Sequence, residues 1–292
     1  MKITASIYNN KTLEAVYPYI DAAVLMVPHY SYVFEDLNID SAIEICRKAY
    51  IEPILSIQRI FMENELEDIK KFIQKYSKYR FLVSDLGVVQ IFKELDLIGN
   101  VIFDSPTMVC NSLDFELYSS YGFKAVSMSN EITLEDVKNT FKKSEGSMYY
   151  QVFGRKLMFY SKRKLIDLYK EFRKVNFKNN DLTLKEEQRD YRIPIVQSEN
   201  GTFCYRQYFI SLLDEINNIS FIRYAYLESL TLSTEQYKKV VSAYRNFLKG
   251  SYNLDQAKHE IESLNLPIEE GFIYNDSVDT KEKVNQWVEL NY

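Results

Sequence analysis

The sequence predicts an α/β protein of the TIM-like (β/α)8 barrel class, with an insertion between strands 7 and 8. Three observations predict it. Short apolar runs alternate regularly with helical patterns through the first 150 residues. The runs are continuous and rich in β-branched residues, as strands are when both faces of a parallel sheet are covered. Eight such units in a chain of 292 residues suit a closed barrel better than an open doubly wound sheet.

Seven strands are expected at ITASIY (3–8), AAVLMV (22–27), EPILSIQ (52–58), RFLVSD (80–85), NVIFD (100–104), KAVSMS (124–129) and MYYQVF (148–153). Between them, apolar residues recur at helical spacing, as at Leu66, Ile69, Phe72 and Ile73. The eighth strand is expected at FIRYAYL (221–227). A helix follows it, with Ser233 as its N-cap and Gly250 as its stop. Residues 1–250 then form the barrel. The regularity breaks over 155–219, which is too long for one crossover. That stretch is read as an insertion on the barrel's C-terminal face, where barrel active sites are built. It contains β-rich arms around Glu199-Asn200-Gly201, a hairpin signal. Residues 251–292 are read as a C-terminal helix and an extended arm, GFIYNDSV, packed on the barrel.

Hydrophobic content of 46% and charged content of 26% are ordinary for a soluble globular protein. The 24 tyrosines are read as AT-rich coding bias. MKITASIYNN has no apolar core of the kind a secretory signal needs, and no run reaches the ~18–20 apolar residues of a membrane helix. A cytoplasmic protein with no membrane partner is expected. Cys46, Cys110 and Cys204 are far apart and odd in number, which argues against a disulfide framework or a local metal knuckle. His29 and His259 are the only histidines, so a metal site would have to be mostly carboxylate. Glycine-rich nucleotide loops, His-Glu-x-x-His and Gly-x-Ser-x-Gly are absent, and no cofactor motif is evident.

In a barrel, residues just after each strand line the mouth. Those positions hold Asn9, Asn10, His29, Gln58, Arg59, Asp85, Asp104, Ser105, Asn130, Glu131, Gly154, Arg155 and Glu228. The set is polar and carries both signs of charge, which suits a polar substrate. Asp85 and Asp104 have a plainer reading as helix caps. Thr133 is a natural cap in its own right, which leaves Glu131 outside the cap.

The chain is acidic, with 36 basic residues against 41 acidic ones, yet eight Lys or Arg fall between Arg155 and Lys174. Lys162, Arg163, Lys164, Lys170, Arg173 and Lys174 can grip phosphates, while Phe159, Tyr160 and Tyr169 offer stacking surfaces. The alternative is an amphipathic helix with a solvated lysine face, and composition alone favours that alternative.

NVIFDSPTMVCNSLDFELYSSYGFKAVSMSNEITLEDVKNTF, followed by YYQVFGRKLMFYSKRKLI, resembles the peptidase U32 family. Asn111 matches an Asn-containing helix start. Ser129, Glu131 and Leu134 match a Ser-x-Glu-Leu/Ile-x-Leu segment. Gly154, Ser161 and Arg163 match a strand, a Gly-containing turn and Ser-x-(Arg/Cys). Asp85 and Gly87 match a strand–helix junction, and GFIYNDSV is similar to the tail of short members. The resemblance spans most of the chain and implies a TIM-like barrel in a bacterial, cytoplasmic protein. The family was named for collagenase-like peptidase activity, and other members act in hydroxylations. The Ser-Lys-Arg-Lys-Leu run looks most like the branch tied to tRNA wobble-uridine 5-hydroxylation, whose members often come as a short and a longer paralogue.

The mouth positions, the basic–aromatic segment and the resemblance together supply the candidate residues. Glu131, Asp85, Arg155 and His29 are the candidate catalytic residues. Asn111, Gln58, Arg59, Ser161, Lys162, Arg163, Lys164 and Tyr160 are the candidate substrate-binding residues. Arg155 could pair bidentately with a carboxylate or a phosphate, so a small carboxylate cosubstrate fits here. The partners implied are the anticodon arm of tRNA and a longer U32 paralogue. Two departures matter. Relatives hold an iron–sulfur cluster with cysteines in and after the Ser-x-x-Cys segment, but residues 155–175 contain none, so no cluster is expected. Relatives commonly carry a histidine before the glycine, where this chain has Phe153. If that histidine is functional, this chain is a noncatalytic partner. Three readings stay open: a tRNA-hydroxylation protein, a nonenzymatic RNA- or partner-binding subunit, and a collagenase-like peptidase.

Overall fold

The computed structural model describes residues 1–105, 108–178, 182–185, 187 and 192–274. Strands β1 (Lys2–Ile7), β2 (Ala22–Met26), β3 (Glu52–Ile57), β4 (Arg80–Val83), β5 (Val101–Phe103), β6 (Ala125–Ser127) and β7 (Met148–Ser161) lie side by side in chain order. Helices α1 (Asn10–Val16), α2 (Ile39–Lys48), α3 (Leu66–Lys75), α4 (Leu86–Glu94), α5 (Ser112–Ser120) and α6 (Leu134–Lys143) alternate with them. After β7 come α7 (Leu165–Arg173), β8 (Thr183–Lys185), β9 (Arg192–Ser198) and β10 (Gly201–Ser211), which bond outward from β7. Strand β11 (Tyr224–Leu227) is parallel to both β7 and β1 and closes the ring. The result is a closed parallel (β/α)8 barrel surrounded by helices. Helices α8 (Thr234–Leu248) and α9 (Leu254–Glu262) complete the chain as described.

The continuous apolar strands are explained by two cores. In β2, Ala22, Val24 and Met26 fill the barrel while Ala23 and Leu25 face the helices, and all five are buried. Ile54, Leu82, Ile102, Tyr149, Tyr224 and Tyr226 continue the inner core. Burying an aliphatic side chain such as Leu82 contributes roughly 1.5–3 kcal/mol. The abundance of tyrosine is therefore structural as well: Tyr8, Tyr149, Tyr205, Tyr224 and Tyr226 pack the interior together. Side-chain caps begin the helices where the sequence indicates. Thr133 caps α6, and Ser233 and Gln236 form a capping box on α8.

The largest departure from expectation is β7. The predicted run stops at residue 153, but the strand continues to Ser161, paired antiparallel with β10. The first half of the basic–aromatic segment is therefore strand, and a helix begins only at Leu165. Gly154 is not in a turn; it lies inside β7 at φ +113°. The hairpin between β9 and β10 turns at Glu199-Asn200-Gly201, where Gly201 has φ +132° and a Cβ would lie 2.1 Å from the Ser161 carbonyl oxygen. This hairpin packs over the mouth: Asn200 Nδ2 donates to the His29 and Ser31 carbonyls at 3.1 and 2.8 Å. In the expected C-terminal arm, Ile268 bridges to Phe209 and Gly271–Tyr274 form turns rather than strand. The rest of GFIYNDSV, residues 275–278, lies outside the described residues.

Candidate active site at the barrel mouth

The C-terminal ends of β1, β2, β3, β5, β7 and β11, with β10 above them, enclose a cavity of about 520 Å³, its open mouth included. Its polar lining comes from Tyr8, Tyr32, Gln58, Asp104, Gln151, Arg155, Lys156, Tyr205, Tyr226 and Glu228. Asp104 and Lys156 are buried here, and Glu228 is half-buried.

Asp104 follows β5 and is tethered by its backbone N–H to the Val83 carbonyl at 2.8 Å. Gln58 Nε2 donates to Asp104 Oδ2 at 2.6 Å, and Gln58 Oε1 accepts from Ser56 Oγ at 2.8 Å. Burial pushes the Asp104 carboxyl above the usual range, against the opposing Lys156 charge and hydrogen bonds from Ser127 and Gln58. Glu228 follows β11. Its Oε1 accepts from Tyr8 Oη at 3.0 Å and from the Leu230 N–H at 2.9 Å, and its Oε2 from Tyr226 Oη at 2.6 Å. Burial raises this carboxyl too, and those donors oppose the rise.

Lys156 projects from the β7 extension and is 7% exposed. Its Nζ donates to Asn130 Oδ1 at 3.1 Å, and Asn130 Nδ2 is fixed by the Gln151 carbonyl at 3.0 Å. Burial lowers the Lys156 ammonium, with the charges of Asp104 and Glu131 working against that. All three groups are thus displaced toward their neutral forms, as suits general acids, a general base or an amine nucleophile at neutral pH. One layer below Gln151, the Tyr149 hydroxyl is buried without a hydrogen-bond partner among the described residues.

The sequence-predicted residues divide sharply by role. Gln58 is in the cavity. Asp85 caps α4, accepting from the Gly87 and Val88 N–H groups at 2.8 and 3.1 Å and from Phe61 N–H at 3.2 Å. Asp104 is not a cap; it is the buried acid. Asn111 caps α5 through the Asp114 N–H at 3.0 Å. Glu131 accepts from Arg206 on the rim, where the single nitrogen Nη2 lies 2.7 Å from both carboxylate oxygens. Arg155 is occupied by the protein itself. Its Nη1 donates to the Arg206 carbonyl at 2.9 Å and to that of Gln207, its Nε donates to Thr231 Oγ1 at 3.0 Å, and its guanidinium covers the Phe209 ring at 4.3 Å.

His29 is solvent-exposed, adopts φ +67°, and pairs with Glu199 on the hairpin. Arg59 is buried between the His29 carbonyl (2.6 Å), Glu65 (2.8 Å) and the Phe61 ring. Lys162 reaches the same Glu65 at 2.6 Å. Burial alone would raise Glu65, but hydrogen bonds from Arg59 and Lys162 bring it down to about 2. Tyr160 stacks on Phe203 at 4.7 Å and donates to the Asn200 carbonyl at 3.1 Å. Ser161 Oγ accepts from the Arg163 N–H at 3.2 Å. The Arg163 and Lys164 side chains are exposed at the start of α7. Beyond them α7 shows solvent Leu168, Tyr169 and Phe172, the last 81% exposed.

Sequence reasoning missed Lys156 and treated Glu228 only as one mouth position among many. A signal for Glu228 existed, an acid directly after an apolar strand. Lys156 had none, because its inward aim depends on an irregularity in β7. Tyr149 and Gln151 face in, whereas Val152 and Phe153 both join the outer core, and the pairing with β11 shifts there.

The three cysteines sit on separate segments. Cys46 is buried in α2, Cys110 precedes α5 and Cys204 lies in β10. Among the described residues no group of three or more His, Cys, Asp and Glu could hold a metal ion. No helix among them is long and apolar enough to cross a membrane.

The chain is similar to known proteins in sequence and in structure. The tRNA hydroxylation protein P2 of Bacillus subtilis (strain 168) is 23% identical over 195 residues, which are 64% of this chain and 63% of that protein. The solved structure of the U32 peptidase Mk0906 aligns with a TM-score of 0.49 at 12% identity, covering 78% of this chain and 92% of that one. The description Peptidase family U32 matches residues 10–283. With that match spanning nearly all of its length, the chain belongs to Peptidase family U32.

Proposed function

We propose that this protein acts in tRNA wobble-uridine 5-hydroxylation, in a bacterial cytoplasm, alone or with a longer paralogue. The observation that carries the reading is the conjunction of two features. A cavity whose acid and amine groups are displaced toward their neutral forms opens at the barrel mouth, and a basic, aromatic surface lies on α7, which follows the β7 extension. Family membership and the likeness to a tRNA hydroxylation protein supply the chemistry class. The exposed Arg163, Lys164 and Arg173 would take phosphates of the anticodon arm, and the exposed Tyr169 and Phe172 would receive unpaired bases. The cavity would hold the target base edge or a small carboxylate cosubstrate. Burial displaces Asp104 and Glu228 toward their protonated forms, in which a carboxyl can donate as well as accept there.

A second reading, a nonenzymatic subunit of such a complex, draws on Phe153. It is fully buried against Phe209 and Tyr244 and offers no polar atom where relatives commonly carry a histidine. Nucleoside mass spectrometry of tRNA from a deletion strain separates these readings. Loss of 5-hydroxyuridine-derived nucleosides, restored by the wild-type gene, supports the pathway. Restoration by a Lys156→Met, Asp104→Asn double variant would move the chemistry to a partner. An unchanged profile in a strain without a paralogue would sink the proposal.

A further inference from the structure

Lys156 is not explained as a structural cation. A lysine ammonium has three hydrogens to donate and no acceptor. Lys156 Nζ has one partner, Asn130 Oδ1, and no carboxylate oxygen within ion-pairing distance among the described residues. A buried charge with that little support is unfavourable, whereas a neutral amine with a free lone pair is at ease. Lys156 lines the cavity at the barrel mouth, and Asp104 and Glu228 line the same cavity. Asp104 is the acid whose charge bears most on Lys156.

We propose that Lys156 is an imine-forming residue, and that the cavity takes a small carbonyl compound, an aldehyde or a 2-oxo acid, which condenses with Nζ. Desolvated lysines act as nucleophiles toward carbonyl carbon. The Nζ lone pair forms the C–N bond while the carbonyl π pair moves to oxygen. One N–H proton reaches that oxygen through the carboxyl of Asp104. The resulting hydroxyl then leaves with the second N–H proton as water, and the C=N bond remains. No oxidant or reductant takes part. Gln58 holds Asp104 and Asn130 holds Nζ at the wall of the cavity.

This inference goes beyond the RNA reading and does not depend on it. The test is borohydride trapping on the full chain, with pyruvate and glycolaldehyde as separate probes, followed by peptide mass spectrometry. The expected result at neutral pH is a reduced adduct on Lys156, formed about tenfold or more faster than on the exposed Lys164 and Lys249, since a positioned general acid beside the amine contributes typically ~10²–10⁴-fold to such a proton-coupled step. Asp104→Asn is expected to slow the Lys156 adduct about tenfold while leaving adducts on the exposed lysines unchanged. Labelling of Lys156 with neither probe, or no faster than Lys164 and Lys249, would overturn the proposal. Because the comparison is internal to the wild-type chain, it does not depend on a variant folding. A positive trap with unchanged tRNA nucleosides would retain the imine and reject the RNA reading; the reverse would do the opposite.

Discussion

Gly154 and Glu228 touch across the seam where β7 meets β11. A Cβ built on Gly154 would lie 2.6 Å from both Glu228 Cβ and the Glu228 carbonyl oxygen. Gly154 also sits at φ +113°, a conformation that L side chains rarely adopt. The glycine therefore allows the backbone approach that brings Glu228 against Tyr8 and Tyr226. Gly154→Ala is expected to destabilise the fold by about 1–3 kcal/mol, seen as a lower urea midpoint at unchanged slope. An unchanged midpoint would mean the seam can open at no cost.

Glu228 makes stability fall as pH rises. Its folded-state pKa lies above the unfolded value because burial penalises the carboxylate. Its contribution is fully present below the ordinary carboxylate range and is lost as pH climbs through the folded value, at ~1.4 kcal/mol for each tenfold weakening of the acid on folding. Asp104 acts in the same direction. Glu228→Gln removes one of these two titrations. The melting temperature of the variant relative to wild type is expected to increase steadily from acid to neutral pH. A difference that stays flat across that range would show that Glu228 is not held protonated.

Arg155 is a staple for the rim. The pairing of β7 with β10 slips between Tyr205 and Phe209, and Arg155 holds the Arg206 and Gln207 carbonyls in that gap. Arg206, so presented, reaches Glu131. Lysine cannot reproduce the fork. Arg155→Lys is expected to cost about 1.5–3 kcal/mol and to speed amide exchange at residues 206–208. Unaltered exchange there would assign Arg155 to ligand binding instead.

The basic segment makes a graded prediction under the proposed function. Arg163 and Lys164 are exposed, whereas Lys162 is tied to Glu65. Arg163→Glu with Lys164→Glu is expected to weaken tRNA binding about tenfold or more and to reduce the salt slope by about two contacts' worth. Lys162→Ala is expected to change the slope by less than half as much. Equal effects, or none, in filter binding across a salt series would remove this surface from the RNA reading.

The barrel was legible because its signals are local. Eight apolar runs with β-branched residues, caps such as Thr133 and Ser233, and the Asn200-Gly201 hairpin depend on neighbours only a few residues away. The mouth positions followed from the fold class, and they included Gln58, Asp104 and Glu228. Their roles did not follow. Asp85 and Asp104 look alike in sequence, each an acid after a strand, yet one caps α4 half-buried and the other is buried under Gln58.

By itself, then, the sequence determined the strand and helix order, the closed class of sheet and the place of the break after strand seven, since periodicity and capping are written in short stretches of chain. Tertiary structure decided which polar groups lose water. Lys156 was one cation among eight until the β7 irregularity turned it inward, and His29, Arg59, Arg155 and Glu131 were candidates until pairing with Glu199, Glu65, the β10 carbonyls and Arg206 claimed them. Desolvation and pairing join residues far apart in the chain, and those long-range contacts are what set a group's charge and reactivity.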